Sequence, residues 1–525
     1  MKSWNGSRSK RTPRLKQKAL TRWTSAMAIE LSVVELSPPR LQFGGASIHT
    51  DPKMGLLAAG PFDLRFGSAR KDHVHLGIVG PQMQIAACRR WIERCEKEIP
   101  SLGEASLLRR SFAGFEATFH KRLVAPADSA LALDESAPNA LENALQGDAY
   151  AAFQRVVDLY AESLSRLAAR EHNRPDLVLV CIPASVFSKV GSVERKSTDE
   201  ERQRAKLLQR RQDERQLDLF AALDEVEQTP EDFLRRDLRH ALKALALRNR
   251  LPIQLVTDSL LEDTSRNQDP ATRAWNFAVG IYYKAGGVPW RLPSSGPDTC
   301  FVGISFHHFR TTHRAIVRSS LAQAFSSDGE GFAIRGEGVP LESNQGRNVH
   351  LSENQAFDLG RNILAEYELR TGALPLRLVL HKTSHFDEAE CRGFSAALHE
   401  IPLVSMVTLV PSEFRLLRYG TYPPKVGTVC TVNGSRSFLF TSGFMPELGT
   451  YPGPHVPQPF EVRCLGPESA VAAAQDVLNL TRMNWNTADI RGKWPVSLSF
   501  ARRVGGILDE FGEDAPTETS FRYFV

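Results

Sequence analysis

The chain has 525 residues, 42% of them hydrophobic and 24% charged, with a mean hydropathy of −0.27. That is ordinary globular composition at a length beyond one core, which excludes a largely disordered chain and points to two or three domains. The net charge of +5 is uneven: residues 1–26 hold eight Lys and Arg and no acid, which leaves −3 for the rest, so any nucleic-acid site on the body must be a local patch.

Residues 1–26 read as a basic flexible tail that can touch phosphates, or as an extension ahead of the true start at Met27. No apolar stretch follows these cations as in a signal peptide. No run elsewhere approaches the roughly 18 apolar residues of a membrane helix, so the chain is expected in the cytoplasm, without a membrane partner. Seven scattered cysteines with no metal-ligand spacing read as reduced thiols.

Residues 27–74 mix short β-like runs with the turn-rich stretch Phe43-Gly-Gly-Ala and with the block Asp51-Pro-Lys-Met-Gly-Leu, and form a leading segment rather than a domain. From His75 to Gly80 the pattern is a strand. An amphipathic helix follows, with Met83, Ile85, Cys88, Trp91, Ile92 and Cys95 on its apolar side. A helix near Ala151–Arg170 precedes Asp176–Pro183, a continuous apolar run of the kind found in a doubly covered parallel strand. The charged stretch 194–216 reads as a solvated insertion. A helix from about Glu231 to Asn249 then leads into the short strand Leu251–Val256. Alternating strands and helices over 75–290 predict an open, Rossmann-like α/β sheet.

The second domain, 291–525, opens with the strand Thr299–Phe306. A helix over Ser352–Arg370 has a capping-box start, Ser352 with Gln355, and ends before Gly372. The strand Leu376–His381 and a helix after Asp387 come next, then strands at Val404–Val410 and Ser437–Thr441, and helices at Pro467–Leu480 and Ser499–Phe511. Mixed strands followed by helices suit a ribonuclease-H-like α/β layer.

Taken in order, Leu41-Gln-Phe-Gly, Asp51-Pro-Lys-Met-Gly-Leu, Gly60-Pro-Phe, Tyr282-Tyr-Lys-Ala-Gly-Gly-Val-Pro-Trp290 and Leu480-Thr-Arg-Met-Asn-Trp-Asn486 resemble the short prokaryotic Argonautes, from about Leu41 to Val525. The resemblance implies a MID domain followed by a PIWI domain. It also implies that Arg239, Lys243, Gln254 and Lys284 form the pocket for the 5′ phosphate of a guide strand.

The residues agree with this on their own terms. Arg239 and Lys243 stand one helical turn apart, Gln254 falls in the next strand, and Lys284 precedes Gly286-Gly287. Cations and an amide that converge are what a terminal phosphate requires. The family commonly has tyrosine or histidine where this chain has Arg239, which puts its stacking on the first base in question, although a guanidinium plane also stacks. By the same resemblance the carboxylate of Val525, in an apolar chain end that should tuck in, reaches the guide phosphates through Mg²⁺.

Slicing Argonautes hold two metal ions on carboxylates. The corresponding positions here present Ser305 and Thr383, and a hydroxyl brings no negative charge, so the PIWI domain is expected to be catalytically inactive. Asp387 and Glu388 suit a first helical turn, and Asp489 a loop. The resemblance then implies a guide, RNA rather than DNA, and recognition of a complementary DNA target. It implies a heterodimer with an APAZ-containing effector of TIR, sirtuin or nuclease type, acting against plasmids or phage by abortive infection. A guided ribonuclease-H-type nuclease and a structural scaffold are the alternatives.

Overall fold

The computed structural model describes residues 29–525 apart from 103–108, 134–137, 195–234, 263–267, 294–295, 311–315, 327–330, 341–349, 418–422, 454, 500 and 512–519. The tail 1–26 and all but the first residue of the charged insertion 194–216 lie outside the described residues.

Two sheets organise the chain. The leading segment supplies β1 (Leu31–Glu35) and α1 (Pro52–Ala59). The Asp51 block is the start of this helix. Asp51 caps it by accepting from Met54 N at 2.8 Å, and Pro52 sits at the first helical position, where its missing N–H costs nothing.

The first sheet is built from β2 (His73–Gly80), β3 (Arg122–Val124), β4 (Ala130–Ala132), β5 (Leu177–Ile182) and β6 (Ile253–Thr257). All its pairings are parallel: β6 lies on β5, β5 on β2, and β2 on both β3 and β4. All six residues of β5 are buried, as its unbroken apolar run requires when both faces are covered. One face packs on α2 (Gln82–Cys95), the other on α3 (Ala149–Ala168) and α4 (Leu238–Arg248). Tyr160 on α3 is buried and satisfies its hydroxyl by donating to Cys181 O at 2.8 Å. Two expectations need correction. Met83 is 73% exposed rather than on the buried face of α2. The helix expected from Glu231 begins at Leu238, because Asp237 takes the cap position and Arg235–Asp237 pairs as a strand with Ser192–Glu194.

After α5 (Pro270–Lys284) the chain enters the second sheet: β7 (Thr299–Arg310), β8 (Ile316–Ser326), β9 (Gly331–Pro340), α6 (Glu353–Thr371), β10 (Arg377–Lys382), α7 (Glu388–Ala397), β11 (Leu403–Pro411), β12 (Thr428–Val432), β13 (Arg436–Leu439) and β14 (Phe460–Leu465), then α8 (Ala470–Leu480) and α9 (Ala501–Asp509). Its order is β1-β12-β13-β14-β11-β10-β7-β8-β9. An antiparallel meander, β7-β8-β9, with β10 and β11 added in parallel through α6 and α7, is the ribonuclease-H-like arrangement. Alternation along β7 sends Cys300, Val302 and Ile304 to the α6–α7 side and Phe301 to the opposite core. The first sheet thus draws its strands from residues 73–257 and the second from residues 299–465, except that β1 forms the far edge of the second.

Candidate functional site

The four residues expected at the phosphate pocket line a single cavity of about 740 Å³, together with Phe524 and Val525. Each reaches it for a local reason. Asp237 accepts from Arg239 N at 2.7 Å and starts α4, so Arg239 and Lys243 leave successive turns of one face. The exposed Arg239 guanidinium lies 4.9 Å from the Phe187 ring centroid, so it leans on an aromatic partner of its own domain. Lys243 Nζ donates to Phe524 O at 3.0 Å. Lys284 is the last residue of α5, is only 3% exposed, and donates to Gln254 Oε1 on β6 at 2.6 Å. Gly280, one turn earlier, leaves the space in front of Gln254 open.

The apolar chain end is tucked in as expected, with Phe524 and Val525 at 1% and 4% exposure. His240, Asn276 and Asn486 also line the cavity and were not singled out beforehand. His240 could have been found as the neighbour of Arg239, and Asn486 already stood inside a quoted motif. Asn276 carried no signal in the sequence. Its Oδ1 accepts from Thr487 Oγ1 at 2.8 Å and from Ala488 N at 3.2 Å, which ties α5 to the 484–489 loop. The cavity therefore lies between the two domains, with α4, β6 and α5 on one side and the C-terminal elements on the other. Further bonds clamp the same seam: Arg236 and Arg248 of the first domain both reach Glu510, and Trp290 Nε1 donates to Arg482 O at 3.0 Å.

Ser305 and Thr383 lie at neighbouring positions of the second sheet. The β7–β10 register runs from Thr299 opposite Arg377 to Ile304 opposite Lys382; Ser305 is the next residue on β7, and Thr383 is the first residue beyond the end of β10. Ser305 Oγ is buried without a hydrogen-bond partner, while Thr383 is exposed. The neighbouring acids are engaged elsewhere. Asp387 caps α7 in a capping box with Glu390, and Asp489 is paired with Arg491. Glu390 is fully buried and bonded to the almost fully buried Lys382. Burial pushes the Lys382 ammonium below the ordinary lysine range, and Glu390 pulls it back.

Among the described residues, His350, Asp387 and Glu390 place donor atoms within 4.8 Å of one another. The oxygens of Glu390 are already taken by Lys382, Leu351 N, Asp387 N and His350, so internal bonds account for this group.

Fold and cavity together define a two-domain α/β chain, a Rossmann-like MID-type domain followed by a ribonuclease-H-like PIWI-type domain, with a cationic pocket at their seam. Solved Argonaute structures share this architecture. The structure of Clostridium butyricum Argonaute bound to a guide DNA and a 19-mer target DNA matches with a TM-score of 0.57 at 12% identity, over 91% of this chain and 53% of that one. The crystal structure of Aa-Ago with externally bound siRNA matches with a TM-score of 0.54 at 13% identity, over 94% of this chain and 56% of that one. The chain thus spans about half the length of these structures, and the likeness is one of fold. No protein-family profile matches it, and no curated protein matches it by sequence. No helix among the described residues is long and apolar enough to cross a membrane.

Proposed function

We propose that the chain binds a guide oligonucleotide by its 5′ phosphate and uses it to recognise a complementary nucleic-acid target. The observation that carries this reading is the convergence of Lys243, Gln254 and Lys284 on one interdomain cavity, beside Arg239. Lys284 is 3% exposed and lines the cavity, where screening by water is weak and a charge-assisted bond to an anion is strengthened. The guide is proposed to be RNA and the target DNA. Mg²⁺ held between the Val525 carboxylate and the guide phosphates belongs to the same reading, and the presence of Val525 in the cavity lining supports it. Appending residues after Val525 should then weaken guide binding.

The PIWI-type domain is proposed to be catalytically silent. A pair of hydroxyls at Ser305 and Thr383 cannot supply the charge that two metal ions need. Incubating the pure chain with a 5′-phosphorylated guide, a labelled matched target and Mg²⁺ or Mn²⁺ is expected to give no cut opposite the middle of the guide; a specific cut would support the nuclease alternative.

The output is then proposed to come from a second protein, an APAZ-containing effector of TIR, sirtuin or nuclease type, in a heterodimer acting in defence against plasmids or phage. A guide held at its 5′ end alone leaves its 3′ half uncovered, so the partner is expected to complete the channel over an interface well above roughly 1,600 Å². Affinity purification from cells should recover the partner in equal amount. A monodisperse monomer that binds guide and target with no copurifying protein would remove this part.

A further inference from the structure

The seam beside the cavity is clamped around Glu510. This residue, just past α9, has a side chain 5% exposed, and its carboxylate accepts from Arg236 Nε at 3.4 and 3.2 Å and from Arg236 Nη2 at 2.5 Å. The Glu510 carbonyl accepts from Arg248 Nη2 at 3.3 Å. Each guanidinium also lies over a ring, Arg236 4.7 Å from the Phe153 centroid and Arg248 5.0 Å from that of Phe511. Arg236 immediately precedes the Asp237 cap of α4, and Arg248 is the last residue of that helix. Both ends of the helix that carries Arg239 and Lys243 are therefore tied to the same point of the second domain.

Between those anchors the two domains meet at backbone level. A Cβ on Gly506 would fall 2.4 Å from His240 Cε1, so α9 meets the His240 ring with bare backbone. His240 and Ile507 both line the cavity, while Val504, Ile507 and Leu508 pack into the core that holds Phe301 of β7. α4 thus belongs to one wall and α9 to the opposite one, and the spacing between them sets the width of the cavity. Domains of one chain move relative to each other by default. A largely dehydrated ion pair between them resists this, because separating the partners leaves each charge without its complement.

We propose that Arg236 and Glu510 are positioning residues for guide binding: a latch that fixes the distance from α4 to α9 and so holds Arg239 and Lys243 where the terminal phosphate meets them together with Lys284. Neither latch residue lines the cavity, so each acts through the helix it holds. By reciprocity, a phosphate that binds better with the latch closed also tightens the latch, and by the same factor. The inference rests on the guide-strand reading above.

The test measures the affinity of the full chain for a guide with a 5′ phosphate and for the same strand with a 5′ hydroxyl, well below the melting temperature of every variant. Amide hydrogen exchange of α4 and α9 is read alongside. Glu510→Ala should weaken the phosphorylated guide by about tenfold and the hydroxyl guide hardly at all, a coupling of ordinary size. The phosphorylated guide should slow exchange in both helices of the parent, and do so less in the variant. Arg236→Glu combined with Glu510→Arg, which restores the pair in reverse, should regain much of the loss. Should Glu510→Ala fail to fold, Glu510→Gln removes the charge while keeping the shape, and carries the same contrast at about threefold. A folded variant with a lower melting temperature but an unchanged ratio of the two affinities would make the pair a stability element only and overturn the proposal. Lys284→Ala separates that failure from a failure of the guide reading. If Lys284→Ala abolishes the preference for phosphate and Glu510→Ala leaves it intact, the latch alone is wrong; if the parent has no such preference, the guide reading fails and the latch falls with it.

Discussion

Lys284→Ala is expected to weaken a 5′-phosphorylated guide by about tenfold to a hundredfold, the loss of one charge-assisted contact worth on the order of 1.5–3 kcal/mol. The same strand with a 5′ hydroxyl should bind the variant almost as it binds the parent. Lys284 is 3% exposed and already fixed on Gln254 at 2.6 Å, so little ordering remains when the phosphate arrives. Lys243→Ala should follow the same contrast, with a smaller change, because Lys243 is only half-buried and also holds Phe524 O. Backbone contacts act on both strands alike and vary with salt, so the ratio of the two affinities isolates the cavity. Equal losses for both strands would reduce these lysines to an ordinary basic surface.

The second large effect concerns stability. Glu390→Ala should lower stability by about 3–5 kcal/mol, since it leaves the Lys382 ammonium buried without its partner. It also removes the acceptor of Leu351 N and of Asp387 N, which breaks the capping box of α7. For a domain of this size the melting temperature should fall by about 6–20 °C. Glu390→Gln keeps the acceptors and should lose less. Pairing Glu390→Leu with Lys382→Met should recover much of the loss, because both charges then leave the core together. A single variant as stable as the parent would show that the pair is solvated and not buried as described.

The cavity residues were legible in the sequence through the family resemblance. Arg239 and Lys243 are one turn apart, and Gln254 follows on the next strand, but that spacing alone reads more readily as an ordinary solvated helix face. Lys284 needed the likeness of its surrounding motif, because nothing in its spacing shows that α5 ends under β6. Arg236 and Glu510 carried no signal at all, since an arginine that folding pairs with a carboxylate 274 residues away looks the same in sequence as one left in water. Met83 went wrong for a related reason. Its position at the second residue of α2 satisfies the apolar period, but the helix begins at Gln82 and its first turn projects beyond the sheet. The edge position of β1 had no local signal either, since hydrophobic pattern can identify a strand but cannot identify a partner hundreds of residues away.

That last pairing bears on how the protein is made. Glu30 N meets Asn433 Oδ1 across 403 residues, and β1 lies antiparallel on β12 throughout. At a synthesis rate of about 5–20 residues per second, β1 leaves the ribosome on the order of 20–80 s before the strand it joins. Leu31 and Val33, still 53% and 52% exposed in the finished fold, spend that interval with no sheet edge to lie against. The Rossmann-like domain between them can close in the meantime from parallel strands of its own, so the nascent chain passes through a stage with one domain folded and both its flanking segments waiting for the other.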